Sequence, residues 1–461
     1  MSEAASIRTP LALLPSLAPL LHPWLPRQRW FAGKGSAVTG FTLVSATELL
    51  PVRGPGPGLL HLLVRVRQAD RPRSDEGDCY QLLIGTRRAL PPALAPALIG
   101  PARQGPLRGL TLYEGTHDPR LAGLLLERLR TPGTLGPLRF ERYAGAPGTP
   151  VPPGGLAARP LGAEQSNSSL VYGDAYILKV FRRLHPGHNP DLELPLALAR
   201  AGCDRVPVPV AWYASAEPGP YTLGVLQPFL RGSRDGWVLA LEALAAGDPF
   251  RAEAAELGRV TAEVHTALAD ALPVVKLGGA QAEELAAGMA ARLEAAARTV
   301  PALRPYAPRL RAAFDAVAAL GRRGRIWAAQ RVHGDLHLGQ LLRGPGGGPW
   351  SVIDFEGEPT RPLTERCRPQ PAVRDVAGML RSFDYAARTH RPWHPAWAQA
   401  CRDAYCTGYA RTAGADPREE PALLRAYETD KAVYEAVYEA RHRPDWLPVP
   451  MAAVERLAAG D

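Results

Sequence analysis

At ~150 residues per unit, a chain of 461 residues has room for about three structural units. Its 46% hydrophobic content supplies a sizeable core and excludes overall disorder. Lys and Arg number 54 against 45 Asp and Glu, a formal charge of +9 that on its face suits a polyanion, but only Lys34, Lys179, Lys276 and Lys431 are lysines. All other basic residues are arginines spread along the chain beside 48 Pro and 45 Gly, the mark of a GC-rich coding sequence and not of a nucleic-acid-binding patch.

Five cysteines without a C-x-x-C pair indicate neither a disulfide framework nor a zinc site, and fit a reducing cytoplasm. The apolar run Leu11–Trp24 is too short to span a bilayer and is interrupted by prolines, so no membrane role is expected. Leucines at 14, 17 and 21 have helical spacing and predict an amphipathic opening helix. Strand-like runs follow at Phe41–Val44 and Leu59–Val66, joined by a Pro/Gly hairpin loop at Pro51–Gly58. After a second low-complexity stretch, Gly145–Gly155, the chain from Gly162 reads strand, turn, strand, helix. From about residue 235 the pattern is helical, with Leu257, Val260, Val264 and Leu268 on one face of Arg251–Leu272. Two more helices are expected in Ala282–Ala329, broken around Pro301 and Pro305. A short β-like insertion, Arg331–Asp354, interrupts them before Asp375–Leu457 returns to helix.

That insertion holds the chemistry. Val332-His333-Gly334-Asp335-Leu336-His337-Leu338-Gly339-Gln340 is followed by a Gly/Pro turn and Ser351-Val352-Ile353-Asp354-Phe355. An acid thus stands five residues before an amide, and a second acid follows 19 residues after the first, at the end of an apolar strand. Kinase-type phosphoryl transfer needs this set: Asp335 to accept the proton of the attacking hydroxyl, and Gln340 and Asp354 to hold Mg²⁺ on the ATP phosphates. Upstream, a hairpin ends in a strand carrying Lys179, and Glu193 opens a helix 14 residues on. The lysine suits the α- and β-phosphates as a compact charge, with Glu193 as its expected partner. Gln165-Ser166-Asn167-Ser168 form a turn rich in hydroxyls and amides that could cover the phosphates. No G-x-x-x-x-G-K-[ST] string occurs, which excludes a P-loop nucleotide site.

His333-Gly334-Asp335-Leu336-His337 and Ile353-Asp354-Phe355 resemble the catalytic-loop motif and metal-binding Asp of the aminoglycoside phosphotransferase and choline kinase superfamily. Longer strings resemble bacterial maltokinases: Arg29-Trp30-Phe31-Ala32-Gly33-Lys34, Asp354 to Pro359, Arg374 to Tyr385, Tyr434-Glu435, Tyr438-Glu439 and Arg443-Pro444-Asp445-Trp446. The resemblance covers the whole chain. It implies an α+β, bilobal protein-kinase-like fold: an N-terminal β-rich cap over residues 1–90, the nucleotide-binding part of the N-lobe over 91–228, and a helical C-lobe over 229–461. Gln227 and Phe229 fall at the implied hinge. It further implies transfer of the ATP γ-phosphate to the anomeric hydroxyl of maltose, with a functional link to α-glucan-synthesising enzymes. Gln340 in place of the usual asparagine fits the maltokinase pattern, and Glu356 after Phe355 argues against a protein kinase. For the sugar, Tyr434, Tyr438, Glu439 and Trp446 near the C-terminus and His337 in the catalytic loop are the candidate contacts. The helix from Tyr427 sets Tyr427, Lys431, Tyr434, Tyr438 and Arg441 on one stripe. Asp375 is expected to cap its helix, and Arg374 and Arg381 either to reach a sugar or to brace the catalytic loop. The rival acceptor is an amino sugar such as glucosamine.

Overall fold

A computed structural model describes residues 10–72, 76–143, 145, 151–162, 166–217, 219–358, 361–389 and 391–460. It divides into two compact units, residues up to Leu192 with Val208–Arg231, and Glu193–Pro207 with Gly232 onward.

The first unit opens with α1 (Leu14–Trp24), the amphipathic helix that the leucine spacing predicts. Leu17, Leu21 and Trp24 enter a core with Trp30, Phe31, Leu60, Leu62 and Tyr80. Pro15 lies in its first turn, where a missing N–H costs no intrahelical bond. The expected hairpin is β1 (Val38–Leu50) against β2 (Gly58–Gln68). With β3 (Asp78–Arg87), β4 (Leu98–Pro101) and β5 (Thr111–Glu114) they make a sheet ordered β1-β2-β3-β5-β4, which runs well past residue 90. After α2 (Pro119–Arg130) comes a second sheet. Its strands among the described residues are β6 (Gly133–Leu135), β7 (Leu138–Arg142), β8 (Ala158–Leu161), β9 (Asn167–Tyr172), β10 (Tyr176–Phe181), β12 (Ala211–Ser215) and β13 (Tyr221–Pro228). Their order is β6-β7-β12-β13-β10-β9-β8. Gly173 and Asp174 both have positive φ, as a tight β9–β10 hairpin turn of type I′ requires.

The short β11 (Arg183–Leu184) pairs with β3 and ties the two sheets together. Beside it lies a buried polar cluster. The Gln81 side-chain oxygen accepts from the Tyr213 hydroxyl (2.8 Å) and His61 Nε2 (2.9 Å), and its NH₂ donates to the carbonyls of Phe181 and Leu223 (2.8 Å each). Every hydrogen-bonding capacity of that amide is used.

Helix α3 (Pro190–Arg200) starts in the first unit and continues into the second. The second unit is helical, as its periodicity predicts: α4 (Gly236–Ala246), α5 (Arg251–Ala271), α6 (Gly279–Thr299), α7 (Ala307–Arg322), α8 (Leu363–Arg366), α9 (Val373–Ala386), α10 (Pro395–Ala413), α11 (Pro421–His442) and α12 (Pro448–Ala459). Leu257, Val260, Val264 and Leu268 of α5 are all buried, and Pro301 lies in the break between α6 and α7. Outside the expected β insertion lie β14 (Arg234–Asp235), β15 (Val275–Leu277) and β16 (Trp327–Ala329), the last two paired with each other; within it lie β17 (Leu341–Arg343) and β18 (Trp350–Val352), which form one small sheet with β14. No described helix is long and apolar enough to cross a membrane.

Candidate active site

In the first unit Lys179 sits mid-strand in β10, opposite Ser169 of β9 and Val225 of β13. Its Nζ lies 2.8 Å from Asp191 Oδ2, both side chains nearly buried. The partner is therefore not the expected Glu193, whose carboxylate instead binds Arg331 at 2.8 Å. The reason is helical phase: two residues along α3 turn a side chain by about 200°, so Asp191 and Glu193 face opposite ways.

Of the turn expected to cover the phosphates, Gln165 lies outside the described residues. Ser166 is exposed, and its hydroxyl accepts from Asn167 Nδ2 (3.2 Å). The Ser168 hydroxyl accepts from Arg182 Nε (2.8 Å), so it holds an arginine that is itself 1% exposed. At the other end of the unit, Gln227 pairs with Ile177 across β13 and β10, and the Phe229 N–H donates to Ala175 O (2.8 Å).

In the second unit the loop His333–Gln340 is held from below by Asp375. Its carboxylate accepts the backbone N–H groups of His333 and Gly334 (2.8 Å each), and His265 Nε2 at 3.0 Å. Burial alone would raise the Asp375 carboxyl pKa, but these hydrogen bonds and the nearby imidazoles hold it below the usual range. Asp375 thus braces the His333–Gln340 loop and does not cap α9, whose N-cap is Ala372. Arg374 braces it as well, donating to Gly334 O (3.0 Å). Gly378 permits this packing, because a Cβ there would lie 2.5 Å from Leu336 O. His337 Nδ1 accepts the Gly339 N–H (3.1 Å), and burial lowers its pKa, so the ring is neutral with its proton on Nε2.

Asp335 Oδ1 lies 2.6 Å from Lys431 Nζ, which is also 3.2 Å from Glu358 Oε1. Burial opposes the Lys431 charge, but Asp335 and Glu358 more than offset it and raise its pKa. Burial likewise opposes ionisation of Glu358, yet Lys431, Arg361 and Arg374 hold its carboxyl far below the usual range. Asp430 continues the array, bonded to Arg292 and Arg361 at 2.9 Å.

Fourteen residues beyond Gln340, Asp354 stands at a positive φ of 66°, a conformation costly for a non-glycine residue. Gln340 Nε2 donates to its Oδ2 (2.9 Å), so Gln340 anchors the acid in this orientation. Carboxylate oxygens of Asp354 and Glu356 approach within 4.8 Å of one another. Two hard carboxylates at that spacing, with an amide beside them, suit Mg²⁺ better than a soft metal.

On α11 the Lys431 ammonium lies 4.8 Å from the Tyr434 ring centre, and Tyr434 stacks on Tyr438 at 6.4 Å. Both tyrosines are half-buried. Glu439, only 2% exposed, accepts the Tyr385 hydroxyl and is bound by Arg443 (2.6 Å), while Trp446 stacks on Tyr385 and meets the Arg443 guanidinium. These contacts tie Glu439 and Trp446 to Tyr385 and Arg443. Arg381 pairs with Glu435 (2.6 Å) and Asp384 (2.9 Å). Tyr427, on the same stripe in sequence, is buried and bonds Gln370 (2.8 Å).

The chain matches the phosphotransferase enzyme family over residues 157–415. It belongs to that family. The phosphotransferase also carries a maltokinase N-terminal cap domain, matched over residues 24–118. It is 32% identical to a glucosamine kinase of Streptacidiphilus jiangxiensis over 73% of this chain and 80% of that protein. A glucosamine kinase of Mycolicibacterium smegmatis is 31% identical over 65% of this chain and 79% of its own. A solved glucosamine kinase in complex with glucosamine, ADP and inorganic phosphate superposes with a TM-score of 0.65 at 26% identity, covering 96% of this chain and 99% of the other.

Three residues with these contacts were not assigned by sequence reasoning: Asp191 in the first unit, and Glu356 and Lys431 in the second. Lysine is rare here, and the argument that singled out Lys179 applies equally to Lys431. For Asp191 the available signal was its place in the first turn of the predicted helix.

Proposed function

We propose that the chain is an ATP-dependent maltokinase, transferring the γ-phosphate of ATP to the anomeric hydroxyl of maltose and so supplying maltose 1-phosphate to α-glucan synthesis. The observation that carries the choice of a neutral sugar is the charge balance around Asp335. Among the described residues lining this pocket, each acid has a partner: Asp335 has Lys431, Glu358 has Lys431 and Arg361, Asp430 has two arginines, and Asp375 has His265 and two backbone N–H groups. An amino sugar would bring a second ammonium toward Lys431 with no acid left to receive it. At an effective dielectric of 20, two such charges repel by about 4 kcal/mol at 4 Å. Maltose incurs no such penalty, and its ring faces suit Tyr434 and Tyr438. The maltokinase cap supports the same reading. The names of the relatives favour the second reading, a glucosamine kinase.

In this mechanism Asp335 receives the proton of the anomeric hydroxyl as that oxygen attacks in line, and Lys179, fixed by Asp191, neutralises nucleotide phosphates. Mg²⁺, for which Asp354, Glu356 and Gln340 are the proposed holders, would supply further charge neutralisation on the phosphates. Ser166, Asn167 and Ser168 border the nucleotide, Gln227 and Phe229 its base, and Nε2–H of neutral His337 is a donor for the acceptor or the phosphate. Glu439 and Trp446 act through Tyr385 and Arg443, shaping the wall of the sugar site.

An ATP-coupled screen of maltose, glucose, trehalose and glucosamine tests the acceptor. Turnover with maltose is expected, and turnover confined to glucosamine overturns the choice. Asp335→Asn should lose about 10²–10⁴-fold in kcat with substrate binding retained. Asp354→Asn should abolish turnover, since it takes a charged hard oxygen from the metal.

A further inference from the structure

Glu358 has no role in the mechanism above, yet it is 3% exposed and carries a full set of charged partners. Lys431 Nζ lies 3.2 Å from its carboxylate and Arg374 3.5 Å, with Arg361 in direct hydrogen-bond contact. The Lys431 ammonium has three donors: one meets Asp335, one meets Glu358, and the Tyr434 ring lies beside it. Glu358 also reaches the catalytic loop by a second route, since Arg374 donates to the carbonyl of Gly334, the residue before Asp335. The chain segment that begins with Asp354 is thereby tied to both the side chain and the backbone of the proton-accepting loop. The other titratable groups around this cluster are His333 and His337 in the loop, and Asp430, Tyr434 and Glu435 on α11.

We propose that Glu358 is a positioning residue of the transfer, sharing the Lys431 ammonium with Asp335 so that the base is not locked in a one-to-one ion pair. This rests on the reading of Asp335 as proton acceptor. An ammonium 2.6 Å from the Asp335 carboxylate competes with the acceptor hydroxyl for it; a second carboxylate 3.2 Å from the same cation offsets part of that hold. Without Glu358 the ammonium turns wholly to Asp335. Without Lys431 the base loses its counter-ion, which is the opposite perturbation.

The test is kcat/KM for maltose against pH at saturating ATP, in the full chain and in Glu358→Gln, Glu358→Asp and Lys431→Gln. Glu358→Gln should lower kcat by about tenfold or more and move the acid limb to lower pH by about half a unit or more, with KM for ATP within about twofold. Lys431→Gln should move the limb to higher pH, and Glu358→Asp, which keeps the charge, should leave it in place. A purely structural Glu358 would reduce the fraction of active enzyme while leaving all profiles superposable; that result, or displacement of both limbs in one direction, overturns the proposal. Asp335→Asn separates the two levels: near-normal turnover in that variant rejects Asp335 as base, whereas an inactive Asp335→Asn with unmoved limbs rejects the role of Glu358 alone.

Discussion

In the first unit the buried polar cluster of His61, Gln81 and Tyr213 holds no ion while His61 is neutral, whereas in the second Arg292, Asp430, Arg361, Glu358, Lys431 and Asp335 alternate in sign. The neutral cluster is satisfied around one amide and buries cheaply, because the Gln81 amide, the Tyr213 hydroxyl and His61 Nε2 exchange water for protein partners and only His61 Nδ1 is left without one. The charged array pays several kcal/mol of desolvation per ion, and its Coulombic gain roughly returns that sum. Stability alone would be served as well by apolar side chains. A charged array that ends on Asp335 is thus better explained by the chemistry proposed for Asp335 than by the folding of the unit.

The largest structural effect should come from breaking the charged array at its centre. Arg361 joins Glu358 to Asp430, so Arg361→Met strips a cation from two buried acids and should destabilise the chain by about 3–5 kcal/mol in urea unfolding. A loss below about 1 kcal/mol would mean that the array behaves as separate surface-like pairs and that the contrast between the units is not real.

Acid should distinguish the two clusters by window. Burial lowers the His61 pKa to about 4 from 6.5, against the opposing hydrogen bond to Gln81. A depressed histidine contributes stability that is complete above pH 6.5 and is lost as pH falls toward 4. The shift is worth about 3 kcal/mol in all, of which about 2 kcal/mol is gone by pH 5. Glu358 is depressed below 4.5, so its contribution persists through that range and fails only at lower pH. Urea midpoints at pH 7 and pH 5 check this: the parent should weaken between them, and His61→Gln should have lost most of that slope. An unchanged slope would place the acid sensitivity elsewhere.

Local pattern made much of this molecule readable. The 3.6-residue spacing of Leu257, Val260, Val264 and Leu268 located α5, and the Pro/Gly run after Leu50 located the β1–β2 hairpin, because both signals are short-range and backbone-driven. Lys179 stood out through rarity. What stayed hidden were the pairings. Asp191 was missed because a fixed Lys-to-acid spacing ignores which way the helix faces, and Lys431 meets Asp335 across 96 residues. Glu439 and Trp446 stood out by residue type as sugar candidates, while their contacts with Tyr385 and Arg443 were not legible. No single-chain pattern encodes such long-range contacts.

The smallest effect should come from the neutral cluster. Tyr213→Phe removes one hydroxyl donor from Gln81 but leaves the same oxygen bonded to His61 and the amide NH₂ bonded to two carbonyls. No buried acceptor is orphaned, so the loss should be about 1 kcal/mol, the net worth of one hydrogen bond. Gln81→Leu is the companion, since it leaves the Tyr213 hydroxyl, His61 Nε2 and two backbone carbonyls without that partner at once. If the two variants cost the same, Gln81 is not the hub. A Gln81→Leu loss several times larger, measured alongside kinetics unaltered per folded molecule, would mark the cluster as purely architectural, in contrast to the array that ends on Asp335.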